Sequence, residues 1–244
     1  MISIIIPTYK EEKYIHEAIS QFNRLTIPHE IIVTDDCSPD KTLEIARSTN
    51  VIVIEAKQKH PTIAANRNAG AKSAKGEFLV FLDADSRILD ANSFFERALH
   101  RFSQDQNQKQ AQKLVAITGS FWVSPDKASL ADILVYSIFN IVHRLKNNVL
   151  HTGEAPGKFQ MIRNESFLTV NGFREDLVSR EDADIFQRLN KIGRTFADRE
   201  LVVYHSGRRS RAIGWPKLLW IWMRDSFSVA TKNVSASREW KAIR

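Results

Sequence analysis

Short apolar runs alternate with amphipathic segments through the first hundred residues, and this pattern predicts alternating strands and helices. The predicted strands are Ile2–Pro7, Glu30–Thr34, Val51–Glu55 and Gly76–Leu82. The predicted helices are Glu11–Leu25, a short one capped by Ser38 or Asp40 and running towards Asn50, and Thr62–Ala74. Continuously apolar strands separated by helices are typical of a parallel sheet covered on both faces.

The pattern continues less regularly through the second half of the chain. A helix is predicted at Ala91–Phe102, followed by a Gln-rich stretch, Ser103–Lys113, that we interpret as a loop or a frayed helix end. The elements predicted after it are a strand at Leu114–Val123, an apolar helix at Ala128–Leu145, a loop at Thr152–Phe159, further helices and a strand at Leu201–Tyr204. We expect one domain followed by a C-terminal helix.

Polar residues follow each of the first four predicted strands. These residues are Pro7-Thr8-Tyr9, Asp35-Asp36, Glu55 and Asp83-Ala84-Asp85. Right-handed crossovers bring the carboxyl ends of parallel strands to one edge of a sheet, where open sheets bind their ligands. We therefore expect these side chains to form one site.

The stretch FLVFLDADS, Phe78–Ser86, joins an apolar strand to two aspartates separated by one residue. Two unpaired carboxylates at one point repel each other, so a positive group is expected between them. Their spacing suits a hard divalent cation, Mg²⁺ or Mn²⁺, that also binds phosphate oxygens. The alternative is a strand-end turn, in which aspartate is common for its local hydrogen bonds.

Two further residues suit a nucleotide. Asp36 could accept the N3–H of a uracil or the N1–H and N2–H of a guanine, and the alternative is a helix N-cap. Arg67 could reach a phosphate or steady a carboxylate.

Composition and charge narrow the class of protein. The chain is 43% hydrophobic and 26% charged, which is globular. Its formal charge of +7 belongs to the segment from His205 onward, with nine Lys/Arg against two Asp/Glu, while residues 1–204 are balanced. One cysteine, Cys37, excludes an internal disulfide framework. With no signal-peptide pattern and no long apolar run, we expect a cytoplasmic protein.

Five motifs together carry a family resemblance. IIIPTYKEE, EIIVTDDCSPDKT, ANRNAGAKSAKGEFLVFLDADS, the NGF before Arg174 and REDADIFQRLNKIG occur in the order seen in family 2 glycosyltransferases of the GT-A fold. The resemblance covers roughly Ile2 to Ser206. Lys10 and Cys37 depart from the usual Asn and Gly of the pattern. FQRL after Asp182 lacks the QxxRW signature of processive polymerases, which favours addition of one sugar per encounter.

The resemblance implies an α/β fold with a mostly parallel central sheet flanked by helices. It implies one domain over residues 1–206, with a nucleotide-binding half, 1–102, and an acceptor-side half, 114–206, before a basic, Trp-rich helical extension, 207–244. The implied activity is transfer of a sugar from a nucleoside-diphosphate sugar with inversion at the anomeric carbon, aided by Mn²⁺ or Mg²⁺.

The resemblance also implies residue roles. The implied donor-binding residues are Pro7, Thr8, Tyr9, Glu11, Asp36, Arg67 and Asp83. The implied metal ligands are Asp85, Asp83 and His205. Asp182 matches the general base, with Glu181 as the second candidate. Inversion is a single displacement, for which one carboxylate suffices as the base. A UDP-sugar is favoured because Asp36 suits uracil, a GDP-sugar stays open, and the acceptor is a carbohydrate or a lipid-linked molecule.

The C-terminal segment raises a separate question. Trp215, Leu218, Leu219, Trp222 and Val229 form one stripe of a predicted helix close to three arginines. Aromatic residues among cations suit an anionic membrane surface, and the alternatives are core packing or a homodimer. The three arginines, Arg208, Arg209 and Arg211, could instead hold donor or acceptor phosphates. We interpret Ala128–Val149 as a packed helix in preference to an interfacial one. Nucleic acid is not expected as a partner, because the rest of the chain is electrically balanced.

Two other functions stay open from the sequence. A haloacid-dehalogenase-type phosphohydrolase also ends an apolar strand in DxD, with Asp83 as the nucleophile, although three strands precede the motif here. A non-catalytic sugar-nucleotide-binding module on the same fold is the second alternative.

Overall fold

A computed structural model describes residues 1–56, 62–107, 112–237 and 243, and it contains one eight-stranded sheet. The strands are β1 Ile2–Thr8, β2 His29–Asp35, β3 Ile52–Glu55, β4 Phe78–Leu82, β5 Ser86–Arg87, β6 Leu114–Val123, β7 Phe159–Arg163 and β8 Arg194–His205. The helices are α1 Ile15–Ser20, α2 Thr42–Arg47, α3 Ile63–Ser73, α4 Ala91–Asn107, α5 Leu130–Arg144, α6 Asn164–Thr169, α7 Glu181–Leu189, α8 Arg208–Ile213 and α9 Trp215–Lys232.

The sheet has the strand order β3-β2-β1-β4-β7-β6-β8-β5. The first four strands of the order are parallel to one another, as predicted. β7 is antiparallel to both β4 and β6, and β5 is antiparallel to β8, so the second half of the sheet is mixed. β6 and β8 are parallel, so four of the seven pairings of the described sheet are parallel and the mostly parallel sheet expected from the sequence is confirmed.

Helices cover both faces of the sheet, and each face has its own core. Ile4 of β1 packs on one face with Phe22 and Phe95, while Ile5 packs on the other with Phe186. All five side chains are almost fully buried. Burial of each stabilises the fold by roughly 1.5–3 kcal/mol. This alternation explains why β1 is apolar at successive positions.

Several element boundaries differ from the predictions. The helix predicted over Glu11–Leu25 is helical only from Ile15 to Ser20, because the chain then closes turns with i→i+3 bonds, such as that from the Phe22 amide to the Ile19 carbonyl. α4 extends past Phe102 to Asn107, whereas part of the Gln-rich stretch lies outside the described residues. β7 was not predicted, and β8 begins seven residues before the predicted Leu201.

The short helix expected after Ser38 begins at Thr42, with Lys41 at its N-cap and no side-chain cap. The Thr42 amide donates instead to Asp40 two residues earlier, and the Ser38 hydroxyl donates to Asp35. The prediction that Ser38 or Asp40 is the N-cap residue is therefore wrong by one to three positions.

α5 and α9 lie against each other. The ring of Phe139 lies 5.6 Å from that of Trp222, and Tyr136 lies 5.5 Å from Trp215. α5 begins with a capping box between Ser129 and Asp132 and continues into a π-helical turn, Leu145–Val149. In the part of the chain that the structure describes, no helix is both long and apolar enough to cross a membrane. The division at residue 206 into a domain and an extension stays a prediction.

Candidate active site

A cleft of about 2050 Å³ opens at the carboxyl ends of β1, β2 and β4. Its lining includes every residue to which the family resemblance gave a role, namely Pro7, Thr8, Tyr9, Glu11, Asp36, Arg67, Asp83, Asp85, Glu181, Asp182 and His205. The structure thus brings residues from both halves of the chain to one cavity. Glu55, which also ends a strand, pairs on the surface with Arg47 and does not line the cleft, so its predicted place in the site is wrong.

The two adjacent aspartates after β2 differ in their surroundings. Asp35 is fully buried and accepts hydrogen bonds from the hydroxyl of Thr8, at 2.8 Å, and from the hydroxyl and amide of Ser38. Asp36 lines the cleft, and partial burial, together with the negative charge of Asp35, raises its pKa. Asp35 therefore holds the turn, while Asp36 is exposed to a ligand.

Both departures from the family pattern fall where the backbone is left-handed. Lys10 has a φ of 57° and Cys37 a φ of 52°. Asn and Gly tolerate this region better than other residues, which accounts for their place in the usual pattern. The amide of Lys10 donates to Ser38, so the two turns support each other.

Arg67 connects the two halves of the site. Its guanidinium, fully buried, donates to Glu181 at 2.9 Å, to Asp83 at 3.1 Å and to the carbonyl of Gly157 at 3.2 Å. Asp83 follows β4 and Glu181 begins α7. A single side chain on α3 therefore fixes the DxD segment relative to the predicted base.

The NGF turn, residues 171–173, packs against Arg67. Asn171 and Gly172 both have positive φ, and the Asn68 side chain bonds to both the amide and the carbonyl of Phe173 at 2.9 Å. The Phe173 ring then lies 5.3 Å from the Arg67 guanidinium, a cation–π distance. The motif thus contributes to the packing of the arginine.

A lysine lies between the two carboxylates of the DxD segment. The Lys158 ammonium is 3.1 Å from Asp83 Oδ2 and 3.0 Å from Asp85 Oδ1. Asp85 is also bonded by the Ser206 hydroxyl at 2.5 Å and lies 3.5 Å from Arg208. Although burial alone would raise the pKa of Asp85, Lys158 and Arg208 hold it well below its usual range. The positive group expected between the aspartates is thus supplied by the chain.

Glu11, which lies shortly after β1, contacts the same group of charges. Both of its carboxylate oxygens accept from Arg208, at 2.7 and 2.8 Å, in a bidentate pair that is largely buried. Arg208 is the first residue of α8. This pair connects the first strand to the start of the C-terminal helices.

His205, the last residue of β8, is buried beside these charges. Burial, together with the positive charge of Lys158, lowers its pKa to about 3, so the imidazole is neutral. Its Nδ1 accepts the amide of Gly207 at 3.1 Å, which assigns the proton of the neutral ring to Nε2. Nε2 is buried without a hydrogen bond from any described residue. In this arrangement His205 presents an N–H group rather than a lone pair.

The two acidic residues at the start of α7 are not equivalent. Burial raises the pKa of Glu181 to about 8, the charge of Asp182 adds to this, and Arg67 opposes it. Asp182 is half-buried, its pKa is raised by burial, and one of its oxygens accepts its neighbour's amide, that of Ala183. Glu181 is therefore bound into the protein, while Asp182 is available to a reactant.

Sequence reasoning did not assign Lys158 a role. Its loop carries no motif, and it comes close to the DxD segment only because Phe159 pairs with Leu82 in the antiparallel ladder of β7 and β4. Arg208 was one of three arginines considered for phosphate binding. A buried group formed by Glu154, Lys146 and Arg180 in the same cleft wall was also not predicted.

Beside the cleft, α5 and α9 form a largely apolar surface, which we call the α5–α9 surface. Its large exposed side chains include Leu130, Ile133, Leu134, Ile138, Ile141, Leu145, Val149, Trp220, Met223 and Phe227. The interpretation of Ala128–Val149 as a packed helix is wrong for this face, since Leu134 is 63% exposed. Lys127, Lys217 and Lys232 are also exposed on these segments.

Comparison with known proteins identifies the family. Residues 3–168 match the model of "Glycosyl transferase family 2". The chain therefore belongs to glycosyltransferase family 2, and this membership sets aside the phosphohydrolase considered from the sequence.

Particular relatives come from bacteria and archaea. The poly(ribitol-phosphate) β-N-acetylglucosaminyltransferase TarS of Staphylococcus aureus is 37% identical over 93 residues, which are 35% of this chain and 16% of TarS. The mannosyltransferase PcManGT of Pyrobaculum calidifontis, solved with GDP-Man and Mn²⁺, superposes with a TM-score of 0.71 at 18% identity, over 99% of this chain and 65% of PcManGT. TarS 1–349 with UDP gives a TM-score of 0.64 at 21% identity, over 83% and 59%. The fold is thus shared with the GT-A enzymes, and the chain spans less than two thirds of these relatives.

Proposed function

We propose that this domain transfers one sugar per encounter from a nucleoside-diphosphate sugar to an acceptor hydroxyl, with inversion at the anomeric carbon. The observation that carries the proposal is the buried contact of Arg67 with both Asp83 and Glu181. It holds a donor-binding segment and a carboxylate pair next to each other in one cleft. A non-catalytic binding module would need the first of these groups but not the second.

The nucleoside is held near β1 and β2. Asp36 accepts the N3–H of uracil, with Pro7, Thr8 and Tyr9 lining the same wall of the cleft. A UDP-sugar is the preferred donor and a GDP-sugar the second, in keeping with the UDP and GDP-Man complexes of the structural neighbours. The diphosphate lies near Lys158 and Arg208, whose positive charges offset its negative charge.

Asp182 is the general base. It takes the proton of the acceptor hydroxyl as that oxygen bonds to the anomeric carbon, and the carbon–oxygen bond to the diphosphate breaks with its electron pair. Glu181, anchored by Arg67, is a positioning residue. Among the described residues, Glu181 pairs with Arg67 and Asp184 with Arg188, whereas Asp182 has no ion-pair partner, so it is the carboxylate best able to meet an acceptor.

A divalent cation was predicted from the sequence, and structural neighbours hold Mn²⁺. The described side chains, as they are arranged, do not fit such an ion. Lys158 lies between Asp83 and Asp85, His205 carries its proton on Nε2, and the described residues contain no group of three His, Cys, Asp or Glu side chains suited to a metal. Dependence on Mn²⁺ or Mg²⁺ stays a prediction, and we derive no catalytic step through the ion.

The acceptor is a carbohydrate or, as we prefer, a lipid-linked molecule. Tyr136, Phe139 and Trp222 line the cleft and also connect α5 with α9, so the α5–α9 surface is continuous with the cleft wall. Exposed apolar side chains flanked by lysines suit an anionic membrane surface. We place the domain in the cytoplasm, at the inner face of the membrane. A homodimer through the same helices is the alternative occupant.

Nucleotide binding tests the proposal first. UDP, GDP, CDP and dTDP, each with Mn²⁺, are compared by thermal unfolding, because a ligand at a hundred times its Kd stabilises by about 2.7 kcal/mol. UDP should give the largest shift, with GDP next. Release of the nucleoside diphosphate from the matching sugars then tests the activity. If none of the four nucleotides shifts the transition, the proposed function is wrong.

A further inference from the structure

Asp83 and Asp85 are each paired with basic side chains of the chain itself. Asp83 contacts Arg67 with one oxygen and Lys158 with the other, at 3.1 Å in each case. Asp85 contacts Lys158 at 3.0 Å and Arg208 at 3.5 Å. Glu11 shares Arg208, so three carboxylates balance three basic side chains and no uncompensated negative charge is left to attract a further cation.

The position of Lys158 is fixed by the backbone. Leu82 and Phe159 are paired residues of the antiparallel ladder between β4 and β7, so the next residues, Asp83 and Lys158, leave the sheet side by side. The carbonyl of Gly157 accepts from Arg67 and that of Lys158 accepts from the Ser86 hydroxyl, at 3.2 Å each. The lysine backbone is therefore held on both sides, while its four-carbon side chain leaves the ammonium free to move.

We propose that Lys158 is an internal counter-ion of Asp83 and Asp85 that a divalent cation must displace. The cation then binds tightly only together with the diphosphate of the donor. This inference rests on the proposed function, since it assumes that the donor diphosphate reaches this group of charges. The diphosphate brings the negative charge that the added cation needs, and it gives the displaced ammonium a new partner.

Coupling of this kind is reciprocal. If UDP tightens the binding of Mn²⁺ by some factor, Mn²⁺ tightens the binding of UDP by the same factor. Loss of the Lys158 charge should raise the affinity of the donor-free protein for Mn²⁺ and reduce the coupling. A lysine that only stabilises the fold would show neither effect.

The test is a Mn²⁺ titration followed by the electron paramagnetic resonance signal of the free ion, with and without saturating UDP. For the wild type, we expect UDP to tighten Mn²⁺ binding at least tenfold. Lys158→Met should bind Mn²⁺ at least tenfold more tightly than the wild type without UDP, and UDP should then add less. Lys158→Arg, which keeps the charge, should behave like the wild type.

Lys146→Met is the matched control, because Lys146 also contacts a buried carboxylate of the cleft wall, that of Glu154, but lies outside the DxD group. It should leave the Mn²⁺ titration unchanged. Thermal unfolding of each variant verifies that it is folded. The wild-type comparison with and without UDP needs no variant at all.

Equal or weaker donor-free Mn²⁺ binding by a folded Lys158→Met variant would overturn the inference, as would tight Mn²⁺ binding by the wild type without UDP. The failure of the proposed function has a different signature. In that case neither UDP nor GDP would alter any titration, while Lys158→Met would still gain donor-free affinity for Mn²⁺.

Discussion

The guanidinium of Arg67 lies 2.9 Å from the carboxylate of Glu181, although the two residues are 114 positions apart. Both side chains are buried, and the same guanidinium also holds Asp83. The donor-binding segment and the carboxylate pair, both of which the proposed reaction needs, thus share one arginine. Their relative position depends on it.

Replacing Arg67 by methionine should therefore destabilise the protein and end its activity. Without the guanidinium, Glu181 and the Gly157 carbonyl lose their donor and Asp83 keeps only Lys158, and each buried polar group left without a partner costs about 1–3 kcal/mol. Denaturant unfolding monitored by circular dichroism measures the loss. Arg47→Met is the control, because Arg47 pairs with Glu55 on the surface, where such a pair contributes about 0–1 kcal/mol. Similar losses for both variants would contradict the bridging role.

The pKa of Glu181, about 8 against an ordinary value of 4.5, makes stability depend on pH. Between these two pH values, the folded protein keeps the proton on Glu181 and the unfolded chain has lost it. The contribution of this proton to the free energy of unfolding is therefore complete below about pH 4.5 and is lost as the pH rises through about 8. Glu181→Gln has no such proton. The free energy of unfolding of the variant relative to the wild type should therefore increase from pH 5 to pH 9.

Urea unfolding across this pH range measures the difference. Glu165→Gln is the control, since a hydrogen bond from Lys113 and its charge lower the pKa of this exposed carboxylate. Its curve relative to the wild type should not rise over the same range. Parallel curves for Glu181→Gln and the wild type would show that burial does not raise the pKa of Glu181.

Asp35 and Asp36 should respond in opposite ways to replacement by alanine. Asp36→Ala should weaken UDP binding at least tenfold with little change in stability, because its side chain lines the cleft. Asp35→Ala leaves Thr8 and Ser38 without their acceptor and should cost about 1–3 kcal/mol. Isothermal titration with UDP and thermal unfolding separate the two effects. Equal losses of UDP affinity in two equally stable variants would refute this assignment.

The α5–α9 surface should bind anionic vesicles. Leu134→Glu combined with Ile138→Glu places two negative charges on this exposed apolar face and should abolish co-sedimentation with vesicles rich in phosphatidylglycerol. Vesicles of phosphatidylcholine should bind the wild type less. Leu168→Glu is the control, because Leu168 is 67% exposed but lies on α6.

Two results would contradict membrane binding. One is failure of the wild type to sediment with anionic vesicles. The other is a dimer in sedimentation equilibrium that the double variant dissociates, which would assign this surface to a second copy of the chain.

The strand-end residues could be predicted from the sequence because local patterns determine them. Thr8 and Asp83 each follow a continuous apolar run, and parallel strands that end together bring such residues to one edge. Glu55 follows the same pattern but lies on β3, an edge strand of the sheet, and forms an ion pair with Arg47 of α2. The position of β3 at the edge of the sheet, which the sequence does not specify, keeps Glu55 out of the cleft lining.

Lys158 could not be predicted because long-range pairing determines its position. Nothing near it in the sequence indicates that β7 runs antiparallel to β4, and a shift of one residue in that register would turn its side chain to the other face. The exposed face of α5 was missed for a related reason. An apolar helix looks alike in sequence whether its outer face is covered or exposed.

The most direct test of the central claim compares Asp182→Asn with Asp184→Asn. Asp184 lies two residues further along α7, outside the cleft lining, and pairs with Arg188 at 2.7 Å. The measurement is the rate of nucleoside-diphosphate release from whichever UDP- or GDP-sugar the wild type turns over fastest. We predict that Asp182→Asn lowers this rate by at least about 100-fold while UDP binding is unchanged, and that Asp184→Asn keeps it. A wild-type rate in Asp182→Asn would contradict the account.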